Sequence, residues 1–251
     1  LQIRPIVDYQ QLDEFEGDKT DILQTILNIG SIEMNKPIEI EFAVEISNDP
    51  SVNHRFYLLQ IRPIADNQQF ISENLEKVDE NDVCIFCKNS IGNGRINNIR
   101  DVIYVKQNTF NASNNVQLVD VIEKLNSNLS DDSRNYILIG PGRWGSSDPW
   151  LGIPVKWPQI SNARLIIESS IENYMIDPSQ GTHFFQNLTS FNVGYFTINQ
   201  YHNKGFIDWS YFDTASTIFE NDFIKHIRFE KEVVVKIDAK KGIGCVFKSG
   251  K

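Results

Sequence analysis

"KPIEIEFAVEISNDPSVNHRFYLLQIRPI" runs from residue 36 to residue 64 and carries two strand signals. In the first, Ile38, Ile40 and Phe42 alternate with Glu39, Glu41 and Ala43; in the second, "RFYLLQIRPI" is rich in aromatic and branched residues. Period-two alternation bounded by polar residues predicts strands, and the intervening "SNDPSVNH" predicts a hairpin with a loop of medium length. Successive side chains on a strand point to opposite faces, so Glu39 and Glu41 share one face, as do Gln60 and Arg62. A hairpin that sets Glu41 near Gln60 gathers a carboxylate, an amide oxygen and a guanidinium on one surface. Glu and Gln oxygens suit a hard cation such as magnesium, and an Arg fork suits phosphate oxygens. The plainer alternative is a solvated sheet face with a cross-strand ion pair.

The flanks extend this unit. Upstream, "GDKTDILQTILNIGSIEMNKP" places Ile22, Ile26 and Ile29 at helical spacing, with Asp18 or Thr20 as cap and Pro37 as stop. Farther upstream, "LQIRPIVDYQQ" at Leu1 matches "LQIRPIADNQQ" at Leu59 in nine of eleven letters. One recurrence does not make a repeat array, and it assigns no role to Gln2 or Arg4. Downstream, the polar "ADNQQFISENLEKVDEND" places a boundary near Asn81, giving units of residues 1–80 and 81–251.

A length of 251 residues with 41% hydrophobic and 23% charged content is ordinary for one large or two small globular domains. With 24 Lys and Arg against 33 Asp and Glu, the formal charge of −9 argues against a surface for nucleic acid or anionic membrane. The sequence has no run of eighteen apolar residues and no signal-peptide pattern at its start, so the expected location is cytoplasmic. The first residue is Leu inside an apolar phrase, which reads as a piece of a longer protein.

Beyond residue 81, strand signals in "VCIFCKN", "DVIYVK", "YILIG", "ARLIIES" and "VGYFTI" alternate with helical or irregular stretches, and "EVVVKIDAKKGIGCVF" predicts a closing hairpin. The class is mixed α and β. "NVQLVDVIEKLNSNL" predicts a helix with Val116, Val119, Ile122 and Leu125 on one face. The loop "PGRWGSSDPWLGIPVKWP", residues 141–158, is long and without periodicity, which often accompanies function. "GPGRWGSSDP" offers backbone N–H groups, Arg143 and two serines to an anion, although the Lys-Ser/Thr pair of a Walker loop is missing. Trp144, Trp150 and Trp157 either line a pocket or pin this loop to the core.

Cys84 and Cys87 form a C-x-x-C without two further ligands at zinc spacing, so they read as core thiols. His54, His202 and His226 have no metal-ligand neighbours and read as surface or packing residues.

"PIEIEFAV", a short insert and "FYLLQIRPI" together resemble the closing strands of the nucleotide-binding domain in the phosphoenolpyruvate synthase and pyruvate phosphate dikinase family. The resemblance covers residues 22–64. It implies the end of an ATP-grasp fold, with Glu41 and Gln60 at the metal and ATP positions and Arg62 as the phosphate-contacting arginine. The glycine-rich lid and adenine pocket of such a site have no counterpart in this sequence.

"SIGNGRINNIRDVIYV", "WPQISNARLIIE", "GTHFFQNL" and "VKIDAKKGIGCVFKSG" are similar to pieces of the family's swivelling phosphohistidine domain. That resemblance implies His183 as the phosphocarrier at a helix N-terminus, where N–H groups favour phosphate. It departs from the family in having a single Gly181 followed directly by Thr182 and His183, then two Phe residues. The whole enzyme would use ATP and Mg2+ to phosphorylate a histidine and then pyruvate, with this piece inactive alone and its partners the remaining domains. The alternatives are a non-catalytic domain that docks on a kinase core, and an anion-binding regulatory module around the residue 140–149 loop with Arg143 as its cation.

Overall fold

The computed structural model describes residues 7–8, 19–34, 38–45, 55–63, 71, 73–146, 148, 150–170, 188, 193–199 and 205–250. It mixes helices with sheets and divides into two compact units, Leu1–Asp66 and Asn67–Lys251. The division falls earlier than the polar composition suggested. Leu75 is fully buried among Val83, Ile243, Cys245 and Phe247, with Ile71 and Val78 packed around them, so this acidic stretch belongs to the second unit.

In the first unit, β1 (Val7–Asp8), β2 (Ile38–Glu45) and β3 (Arg55–Pro63) form an antiparallel sheet in the order β1-β3-β2. Helix α1 (Lys19–Met34) packs on it through Gly30, whose Cα faces the side chains of Ile38 and Ile61. Ile22 and Ile26 are half-buried, but Ile29 is 56% exposed. It stands one step, about 100° around the helix, from Gly30.

The second unit contains β4 (Val83–Cys87), β5 (Ser90–Ile91), β6 (Gly94–Val105), α2 (Asn115–Asp131), β7 (Asn135–Pro141), β8 (Arg143–Trp144) and β9 (Gly152–Ile153). There follow β10 (Ala163–Ser169), β11 (Gly194–Ile198), β12 (Gly205–Ile207), α3 (Trp209–Phe212), β13 (Ser216–Glu220), β14 (Ile224–Asp238) and β15 (Ile243–Phe247). The main sheet runs β12-β4-β15-β14-β6-β7-β10-β11-β5. Its β6, β7, β10 and β11 are mutually parallel, whereas β4, β14 and β15 pair antiparallel. Only Lys88 and Asn89 separate β4 from β5, yet these strands lie toward opposite ends of the path, so the sheet curls back on itself. Across the interior the Phe196 ring lies on Gly244, where a Cβ would stand 2.2 Å from it.

Parallel strands need crossovers and are buried on both faces, which explains the near-continuous apolar runs in "DVIYV", "YILIG" and "ARLII". Alternate residues serve two cores. Ile103, Leu138, Ile166 and Tyr195 meet α2 through Leu118, Val119, Ile122, Leu125 and Leu129. Val102, Ile137, Ile167 and Phe196 meet β4, β14 and β15 through Cys84, Ile227, Val235 and Val246. Val116, expected on the packed face of α2, is 58% exposed. It lies about 120° around the helix from Ile122. Among the described residues no helix is long and apolar enough to cross a membrane.

Candidate functional site

The hairpin in the first unit brings the predicted pair together. The Cα register sets Glu41 opposite Gln60 and Glu39 opposite Arg62, and a bulge after Glu41 shifts Phe42 to face Leu58. Directly opposed residues on an antiparallel pair share a face, and that face is the one turned away from α1, since Ile38 and Ile61 occupy the other. Tyr57 donates to Glu45 at 3.1 Å farther along the hairpin, and Arg55 sits 3.5 Å from the same carboxylate. The register thus places the Glu41 carboxylate and the Gln60 amide on one face of the sheet. Among the described residues no group of three His, Cys, Asp or Glu is arranged to hold a metal ion.

In the second unit, the carboxyl ends of β6, β7, β10 and β11 form one edge, where ligands of parallel α/β sheets usually bind. His183, like His54 and His202, lies outside the described residues. Arg143 is at the same edge, just after β7.

The loop around Arg143 is built differently from a phosphate cradle. Gly142 donates its N–H to the Ser169 carbonyl at 3.4 Å, Arg143 to Leu151 at 3.0 Å, and Gly145 to Ile153 at 2.9 Å. Trp144 donates its N–H to Glu168 Oε1 at 3.0 Å, and its indole N–H to the Ile167 carbonyl at 3.0 Å. Four consecutive main-chain donors are therefore satisfied inside the protein. The expectation that this stretch offers its N–H groups to an anion is corrected for Gly142, Arg143, Trp144 and Gly145.

The tryptophans divide by role. Trp144 is 1% exposed and pins the loop: its ring covers Gly140 so closely that a Cβ there would stand 2.4 Å from it. Trp157 packs partly buried against the α2-side core, and Trp150 is 67% exposed.

Two buried carboxylates were not singled out by the sequence. Glu168 sits in β10 between Gly140 of β7 and Thr197 of β11. Asp101, 1% exposed in β6, accepts from His226 Nε2 and Arg228 Nε, each at 2.8 Å, with Arg134 Nη1 at 3.6 Å. Burial alone pushes the Asp101 carboxyl up, but hydrogen bonds and charge from His226 and Arg228 outweigh it and hold the carboxyl below its usual range. His226 is accordingly a packing residue, as expected, but one with a charged partner; its Nδ1 has no hydrogen-bond partner among the described residues. An acidic residue inside an otherwise apolar strand was the available signal for both carboxylates, because such groups are rarely buried unless paired.

Cys84 and Cys87 face different neighbours, donating to the Val246 carbonyl at 3.5 Å and the Thr197 carbonyl at 3.3 Å. Burial pushes both thiols up to about 12, the inert state of core cysteines. Comparisons with protein-family models, with curated proteins and with solved structures each found no match.

Proposed function

We propose that this chain is part of a phosphoenolpyruvate synthase-like phosphotransferase. Its first unit carries the closing strands of an ATP-grasp nucleotide site, and its second is a module that carries phosphate on His183. The observation behind this reading is the β2–β3 register, which sets Glu41 opposite Gln60 and Glu39 opposite Arg62. Glu41 and Gln60 would hold Mg2+ through oxygen, and the Arg62 guanidinium would bind a phosphate of ATP. The carrier reading of the second unit rests on the resemblance of the stretch around His183, which lies outside the described residues. Pyruvate would be the final acceptor.

The test is transfer of label. The full-length protein is incubated with ATP labelled at the β or the γ phosphate, and an acid-labile, base-stable protein label is sought. Label that His183→Ala removes, and that Glu41→Gln lowers by about tenfold or more in rate, supports the reading. A label that survives His183→Ala removes His183 from it, and absence of label in the unaltered protein overturns the phosphotransferase assignment.

A second reading, a docking module on a kinase core, is favoured by exposed apolar side chains. Phe42, Val44 and Leu59 in the first unit are 41–44% exposed, and Val116 and Trp150 in the second more so. Under that reading neither ATP nor phosphoenolpyruvate binds the chain.

A further inference from the structure

Strand alternation gives β15 two apolar faces. Val246 turns toward the core that holds Cys84, Cys87 and Phe196, whereas Ile243, Cys245 and Phe247 lie on the other face with Val83 of β4. Phe86, Phe206 and Val234 border that second face. Its cover is not an α-helix but residues 71–78, which reach it through Ile71, Leu75 and Val78, spaced four and three residues apart. Leu75 is fully buried there, while Glu73, Asn74, Glu76 and Lys77 face solvent.

The attachment of this stretch differs from that of the strands beneath it. Its main chain bonds to itself: Lys77 N–H donates to the Asn74 carbonyl at 3.1 Å, and Glu76 N–H to the Asn74 side chain at 3.2 Å. Among the described residues, no main-chain group of residues 71–78 is hydrogen-bonded to the sheet, and the first such bond downstream runs from Lys248 N–H to the Asp82 carbonyl at 2.9 Å. The remaining ties are side-chain contacts to β14 and to the turn after it. Lys236 pairs with Glu73, and Lys241 meets Asn74 Oδ1 at 3.1 Å and Glu76 at 2.9 Å.

Three apolar anchors and a few exposed ion pairs are a weak hold. Such pairs contribute little and are screened by salt, and a stretch without ladder bonds opens at a lower free energy than the sheet that carries it. Opening has a specific consequence for one thiol. Cys245 stands opposite Lys236 in the β14–β15 register, and the Lys236 ammonium, 4.3 Å from the centre of the Phe247 ring, reaches from there to Glu73. Cys84 and Cys87 belong to the core on the other face and stay covered.

We propose that residues 71–78 form a releasable strap, which opens and closes over the outer face of β4 and β15 without unfolding the sheet and so controls access to Cys245 and the apolar surface around it. The strap begins just after the first unit ends at Asp66, so a pull on that connection is the input that peels it away. This device is independent of the phosphotransferase reading.

The test is thiol labelling of the 251-residue chain with N-ethylmaleimide, each cysteine followed separately by mass spectrometry of its peptide. In the unaltered protein all three thiols should react slowly, with Cys245 about tenfold or more ahead of Cys84 and Cys87. Leu75→Ala removes the central anchor and should speed Cys245 by a further tenfold or so, leaving the other two unchanged. Glu73→Gln combined with Glu76→Gln should speed it by about two- to fivefold, and about 1 M sodium chloride should do the same to the unaltered protein but not to that double variant.

A Leu75→Ala chain that fails to fold shows itself by all three thiols reacting together, and the exposed Glu73 and Glu76 substitutions with the salt series then decide. Cys245 labelling that keeps pace with Cys84 and Cys87 in all of these proteins overturns the inference, because the strap then opens only with the sheet. Labelling of Cys245 that is faster but indifferent to Leu75, to the two glutamates and to salt overturns it as well, since the thiol is then reached by another route.

Discussion

At the scale of single residues, two positions illustrate how packing and charge are set by neighbours distant in sequence. Gly140 has no Cβ because the Trp144 ring occupies that space. Gly140→Ala should destabilise the second unit by about 1–3 kcal/mol, the usual range for overpacking, and a urea-denaturation midpoint measures it. Asp101 accepts from His226 and Arg228 and forms an ion pair with Arg134. Asp101→Ala leaves those groups without their anion and should cost about 3–5 kcal/mol. The pH dependence has a definite sign. The folded carboxyl titrates below its unfolded value of about 3.9, so its contribution is complete above that pH and is lost as pH falls through the lower folded value. Stability curves at descending pH should show an acid limb that is flatter in Asp101→Asn; an unchanged limb would mean that other carboxylates set it.

At the scale of elements, the C-x-x-C of β4 behaves as strand packing. Cys84, Cys87 and Cys245 are buried and free, and burial pushes each thiol up to about 12. Native protein at pH 8 should resist a thiol reagent such as Ellman's, and all three thiols should react once urea unfolds the chain. Rapid reaction in the native state would place β4 at the surface. Helix α2 shows the limits of periodicity: its spacing located the helix and most of its packed face, while Val116 lies about 120° around the helix from Ile122 and is exposed. The β2–β3 hairpin was legible as two strands with assigned faces, whereas its register and the bulge after Glu41 came from the structure.

At the scale of the whole molecule, the two units differ in how much core they hold. Trp144, Tyr136, Tyr195, Phe196 and Phe212, the largest fully buried side chains, all lie in the second unit. Residues 67–251 expressed alone should therefore melt cooperatively within a few degrees of the same transition in the full chain. A non-cooperative melt would show that the first unit is needed to complete that core. Among the described residues, the first unit exposes Ile29, Ile32, Phe42, Val44 and Leu59 on a three-stranded sheet with one helix.

The amino-acid sequence by itself determined the elements: apolar alternation wrote the strands, helical spacing wrote α1 and α2, and polar inserts wrote the turns. It set Glu39 with Glu41 and Gln60 with Arg62 on strand faces, while the register that puts Glu41 opposite Gln60 came from the structure. Only the tertiary structure decided that residues 71–82 belong to the second unit, that Asp101 meets His226, and that Glu168 holds Trp144. The Glu168–Trp144 contact spans 24 positions and the Asp101–His226 contact 125. Local patterns carry no information about partners brought together by a parallel crossover or by a sheet that closes on itself, because both depend on how the whole core packs.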